Sequence, residues 1–323
     1  LRTDYGLMSK LRSVKHYFLL DQGDFFIHFM DVAEDELKPP ASQVQPSTLQ
    51  TLVDIAIRAS VAKDDELGES MKIKLLPFNL INQLIARHRQ EPILPNVHPD
   101  ASVASSSTVA GNLKDISALE ALTLDWQVSW PLVLIFNRNT IDMYQILFRH
   151  LFYCKHVERI LGRAWTQHQL TKQLFQRKRA PAPASNAKGG LNRSRPGASA
   201  APSTNTAPTT SIPSAVQDAG SDYNLLTRCF SLRQRMMHFI QNLQYYMVME
   251  VIEPRYIKLE ETLRKATTVD ELLDAHNGFL LECHRNCLLT EMDLFKIITK
   301  ILSVCVIFCN YTERFIKQLT LDA

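Results

Sequence analysis

Between Leu122 and Leu161 the spacing of apolar residues changes period, and the change marks two elements and a corner. Leu122, Leu124, Trp126, Val128 and Trp130 alternate with Thr123, Asp125, Gln127 and Ser129, the period of two that an extended segment with one buried face produces. On that pattern both tryptophans are core anchors rather than a recognition platform. Pro131 interrupts it. After an apolar run to Phe136, Asn139 offers a side-chain cap and Asp142 complements the positive end of a helix dipole. From there the period is helical: Ile141, Tyr144, Leu147, Phe148, Leu151, Val157 and Leu161 recur near every 3.6 residues and give one face to a core. The other face carries Arg149, His150, Lys155, His156, Arg159 and Arg163 against Glu158. Such a face is either solvated or meets something acidic.

The same reading extends along the chain. Leu7, Leu11, Val14 and Phe18 form one helical stripe, and Phe25, Phe26, Phe29, Met30, Ala33 and Leu37 form another, with Asp24 as its N-cap after Gly23. Pro39-Pro40 ends it, and Leu49, Leu52, Val53, Ala56 and Ile57 carry a third helix after Ser47-Thr48. Ile73 to Leu76 is short and extended, and Asn79 caps the helix that follows. From about 91 to 117 no period survives and prolines and serines predict a long loop. From about 180 to 221 the chain is rich in Ala, Pro, Ser, Thr, Gly and Asn with almost no large apolar side chains, the composition of a disordered insertion between neighbouring helices. Leu225 to Val251 is the longest helical pattern, with Leu232, Met236, Phe239, Ile240, Leu243, Tyr246, Met247 and Ile252 on its apolar side until Pro254 ends or kinks it. Thr268 to Glu271 is a capping box, and Thr290 with Asp293 starts the last helix.

Composition narrows this to one class. With 323 residues, 46% of them hydrophobic, and only ten glycines, the chain can bury a large core and favours long helices over turn-dense β architecture. The expected fold is all-α: an elongated helical bundle over residues 1–323 with a few short extended segments. A formal net charge of +3 is mild for a nucleic-acid binder. Leu1 is not an initiator methionine and helical pattern begins at once, so the chain reads as a piece of a longer protein. The six cysteines lie mostly among apolar neighbours inside helical patterns, as reduced thiols in a reducing compartment do. The most apolar run, Ile301 to Cys309, is well short of the roughly 20 residues of a membrane span. No phosphate-loop, dinucleotide, zinc-hydrolase or nucleophile-elbow motif occurs, so catalysis has no motif behind it. Cys283 and Cys287 beside His276 and His284 resemble half a metal site, with no second ligand pair elsewhere.

Several separated runs carry a family resemblance. They are Phe148 to Arg159 (FRHLFYCKHVER) within the stretch from Trp130 to Leu161, Lys15 to Asp31 (KHYFLLDQGDFFIHFMD), Ser231 to Met237, Gln244 to Val251, and Asp270 to Leu273 followed by His276 and Phe279-Leu280. Together, and in this order, they resemble the carboxy-terminal domain of the gamma-tubulin complex components, although Met249 stands where that family usually has Phe. The resemblance implies a non-catalytic helical domain that binds gamma-tubulin, with an absent amino-terminal domain packing beside component 3 and other family members. It further implies a ring template for microtubule nucleation at spindle poles and microtubule organizing centres in the cytoplasm. No cofactor is implied, GTP belonging to the tubulin, and neither a membrane nor a nucleic acid is an expected partner. Because tubulins are acidic, the resemblance also turns the basic helix face into an expected contact surface. Its residues would be Arg149, His150, Tyr153, Lys155, His156 and Arg159, extended by Arg233, Arg235 and Tyr245. On this reading Arg149→Glu with Arg159→Glu leaves folding intact. The rival reading is a helical adaptor that meets an acidic membrane or RNA through residues 149–179.

Overall fold

The computed structural model describes residues 6–21, 23–61, 65–88, 116–179 and 214–321. The loop expected over 91–117 lies outside them except for Ile116 and Ser117. So does the insertion expected over 180–221, except for 214–221, where a helix has already begun. The elements in order are α1 (Leu7–Phe18), α2 (Gly23–Leu37), α3 (Pro46–Ala59), α4 (Glu66–Ser70), β1 (Met71–Leu75), α5 (Leu80–His88), α6 (Ala118–Ala121), β2 (Leu122–Trp126), α7 (Arg138–Arg179), α8 (Ser214–Tyr245), α9 (Glu253–Lys265), α10 (Val269–Asn286) and α11 (Met292–Leu321). The fold is all-α, as expected, with one antiparallel strand pair among the described residues. Its chain divides into two compact units, Leu1–Arg159 with His238–Val306 and Ile160–Met237 with Ile307–Ala323.

In the first unit α7 runs through the interior. Ile141, Tyr144, Leu147, Phe148, Leu151 and Val157 are all buried, as their spacing predicts. Aromatic rings lock the α7 stripe to α2: Phe26 meets Phe152 edge-on with centroids 5.4 Å apart, and Phe148 stacks on Phe152 at 5.2 Å. On another side the Tyr144 hydroxyl meets His276 Nε2 of α10 at 2.9 Å, and the Gln145 amide donates to the Leu124 carbonyl of β2 at 2.8 Å. From Met143 to Phe152 every residue is buried, so this part of α7 has no outer face.

Local chemistry explains most boundaries. Asn79 Oδ1 accepts the Asn82 N–H at 3.0 Å, and Thr268 with Glu271 closes a complete capping box on α10. The cap of α7 is Asn137, whose Oδ1 accepts the Thr140 N–H at 2.9 Å, and not Asn139, because the helix starts one residue before Asn139. Asp24 lies in the first turn of α2 and holds the Val61 N–H at 2.8 Å, which keeps its carboxyl below the usual range. Pro254 neither ends nor sharply breaks the long helix. Tyr246–Ile252 widens into a π-helical turn and the Glu253 N–H reaches back to the Val248 carbonyl before α9 continues. Along the apolar side of α8 and the π-helical turn after it, Ile240, Met247 and Ile252 are buried, but Leu232, Phe239 and Tyr246 are exposed.

The alternation from Leu122 to Trp130 is extended only as far as Trp126. β2 pairs with the five-residue β1 in the register Met71↔Trp126 to Leu75↔Leu122, and the ladder stops there because β1 begins at Met71. Trp126 is buried against Phe136 at 4.9 Å, whereas Trp130, expected in the core, is 73% exposed.

In the second unit His168 packs against Phe230 at 6.4 Å, and Ala164, Leu226 and Ile316 are buried. The cysteines in the described structure are free thiols, and burial raises Cys154 and Cys287 to about 12.

Burial holds His150, His276 and His284 at about 4, below their ordinary 6.5. Between those values the unfolded chain binds more protons than the folded one, so stability is complete above about pH 6.5 and declines as pH falls toward 4. Denaturant midpoints measured from pH 8 to pH 4.5 should fall steadily below pH 6.5, and less so in a His150→Phe variant.

Candidate interaction surface

Arg149 opens the basic run and is buried. Its Nη1 donates to Gln83 Oε1 of α5 at 2.6 Å, its Nη2 to the Phe78 carbonyl at 2.7 Å and to the Glu120 carbonyl of α6 at 2.6 Å, and its Nε to the same Glu120 oxygen at 3.2 Å. Burial lowers the guanidinium to about 10, opposed by the Glu120 carboxylate, so it stays charged at neutral pH. Its neighbour His150 is equally deep, with its ring against Phe295 of α11 at 5.4 Å. In the other unit Arg233 is buried, bonded to the Leu161 carbonyl at 3.3 Å and to Gln234 Oε1 at 2.8 Å, with its guanidinium over Phe230.

These positions correct the expectation of a continuous exposed basic face. Arg149 and His150 face the interior because α7 is enclosed on all sides over Met143 to Phe152, and Arg233 of α8 is buried in its own unit against Leu161, Gln234 and Phe230. After that enclosure α7 in the first unit becomes half-open. Tyr153, Lys155, His156 and Arg159 are each half-buried. Lys155 pairs with Glu158 at 3.3 Å, and Arg159 is ion-paired with Asp31 of α2. Burial raises the Tyr153 hydroxyl to about 12. Lys155, Glu158 and Arg159 line an open pocket of about 230 Å³ with Leu20, Gly23, Phe26 and Ile27. Its floor is apolar and its rim is charged. Tyr245 is 60% exposed at the end of α8, and Arg235 is exposed in the other unit.

Among the described residues no group of three or more His, Cys, Asp or Glu side chains converges as a metal site would. Among them, too, no helix is long and apolar enough to cross a membrane. The pairing of Lys155 and Arg159 with acids one turn away or on α2 leaves a mixed surface rather than a basic patch. Periodicity missed the Asp31 partner because it lies far away in sequence, and it missed Trp130 because alternation says nothing about where a neighbouring strand stops.

A family profile described as gamma tubulin complex component C-terminal matches residues 7–323. The chain belongs to this family. Mouse gamma-tubulin complex component 2 is 36% identical over all of the chain and 30% of its own length. The Drosophila melanogaster component 2 homolog is 33% identical over 98% of the chain and 31% of its own length. Spindle pole body component alp4 of Schizosaccharomyces pombe is 29% identical over 99% of the chain and 40% of its own length. The chain therefore spans about a third of the length of these relatives, and its likeness to component 2 extends from end to end.

The two arginines first paired as surface residues should separate sharply on mutation. Arg149→Ala strips hydrogen bonds from two carbonyls and an amide in the interior and should cost about 3 kcal/mol or more. Arg159→Glu alters one partly solvated pair and should cost about 1 kcal/mol or less. Urea denaturation of both variants checks the contrast, which vanishes if the Arg149 network is not formed.

Proposed function

We propose that this chain is a non-catalytic helical scaffold domain that binds gamma-tubulin and positions it in a ring template for microtubule nucleation. The observation that carries this reading is the family match over residues 7–323, supported by relatives named as gamma-tubulin complex and spindle pole body components. A template of this kind acts geometrically. Holding gamma-tubulins side by side supplies preformed lateral neighbours to incoming tubulin, which lowers the entropic barrier to the first stable assembly. The domain's contribution would be rigidity and placement, and any GTP would belong to the tubulin.

The contact residues in this reading are those that reach solvent: in the first unit Lys155 and Arg159 of the α7 pocket with Tyr153, His156 and Tyr245, and in the other unit, taken by itself, Arg235. Neighbouring positions in the ring would be taken by component 3 and other family members, contacted chiefly outside this stretch. The Xenopus laevis component 3 homolog shares 25% identity over 90% of the chain. Its place of action would be the spindle pole or another microtubule organizing centre.

Binding of purified gamma-tubulin should be saturable. Anionic vesicles and single-stranded RNA should be retained only weakly, and that retention should disappear as salt is raised through 0.2 M, about the range where screened surface charge fades. Tight RNA or vesicle binding without gamma-tubulin binding would overturn the reading in favour of a basic adaptor acting through residues 149–179.

A further inference from the structure

The β2–α7 corner presents an apolar tip that the fold does not use. Trp130 is 73% exposed, and Val133 and Leu134 beside it are 41% and 42% exposed. Beneath them Leu132, Ile135 and Phe136 are buried, with Phe136 wedged between Trp126 at 4.9 Å and His276 at 5.2 Å. The backbone of the corner is bonded to itself throughout. Val133 N–H reaches the Ser129 carbonyl at 3.3 Å, Leu134 N–H the Pro131 carbonyl at 3.2 Å, and Phe136 N–H the Leu132 carbonyl at 2.9 Å. An exposed tryptophan on a pre-ordered turn loses little conformational entropy on burial, and tryptophan is the residue type most enriched among side chains that dominate binding energy.

Charge around the base of the corner has one sign in excess. Arg138 pairs with Asp142 at 3.3 Å and with Asp125 at 3.5 Å, while Arg87 and Lys74 also act on Asp142. Lys72 stands opposite Asp125 in the strand register and bonds to Gln127 at 3.1 Å. Four cations thus surround two carboxylates, against the near balance around the α7 pocket. An apolar tip with a positive base fits an acidic protein surface that can offer a pocket for an indole.

We infer that the corner from Ser129 to Leu134, with Trp130 at its tip, is an anchor through which this chain holds gamma-tubulin. This rests on the reading that the chain binds gamma-tubulin at all. It goes beyond that reading in placing the apolar anchor outside the α7 pocket, at a tryptophan that its alternation with polar residues assigned to the core.

The experiment compares the intact chain with Trp130→Ala, Trp130→Phe and Leu134→Ser for binding purified gamma-tubulin, with helicity and melting temperature recorded for each. Trp130→Ala should weaken binding at least tenfold, Trp130→Phe much less, and all should melt with the parent. If Trp130→Ala melts early, Leu134→Ser supplies the same comparison at a second exposed position. Parent binding with unchanged affinity in folded variants would overturn the anchor and leave the scaffold reading standing. Failure of the parent to bind would overturn both. Concentration-dependent self-association lost in Trp130→Ala, with gamma-tubulin binding retained, would reassign the corner to contact between copies of the chain.

Discussion

A single buried guanidinium holds the first unit's architecture together. Arg149 sits where α7 passes through the interior, and it satisfies the Phe78 carbonyl and Gln83 amide oxygen at α5 and the Glu120 carbonyl of α6, two separate stretches of chain. The Phe78 carbonyl just before α5 and the Glu120 carbonyl of α6 lie where helices and strands start and stop, and backbone groups there have no regular partner. A planar group with five donors can serve them together, which a lysine ammonium cannot do with the same geometry. Removing the charge from water is costly, and the cost is offset by four charge-assisted hydrogen bonds to three acceptors.

Around that centre the packing is aromatic. Phe18, Phe26, Phe29, Phe148 and Phe152 tie α1 and α2 to α7, and Tyr144 with His276 ties α10 to it. Such contacts are stiff, because large planar side chains in close packing have few alternative rotamers. Stiffness is what a positioning domain requires. A surface that holds a partner in a template transmits its own angular error to the assembly, and an interior with polar groups satisfied on defined partners limits that error.

Much of the fold was legible in the residues. The α7 stripe, the Asn79 cap, the Thr268 capping box and the brevity of the extended segments all follow from local spacing, and the structure has each of them. The surface was less legible, for a physical reason. Helical period separates two faces but cannot say that both are covered, and Arg149 and His150 read as outward only because arginine and histidine usually are. Their partners, Gln83, Phe78, Glu120 and Phe295, stand 29 to 145 positions away, and no local pattern announces such pairings. Trp130 failed in the opposite direction. Its alternation with polar residues was real, but burial depended on the length of β1, which ends the ladder at Trp126.

The central claim is that Arg149 couples α5 and α6 to α7, and amide hydrogen exchange reads that coupling directly. In Arg149→Lys the protection of Leu80–His88, Ala118–Trp126 and the α7 segment from Met143 to Phe152 should fall together, while α11 changes much less. Protection of α5 and α6 equal to that of the parent, with only α7 altered or nothing altered, would contradict the account.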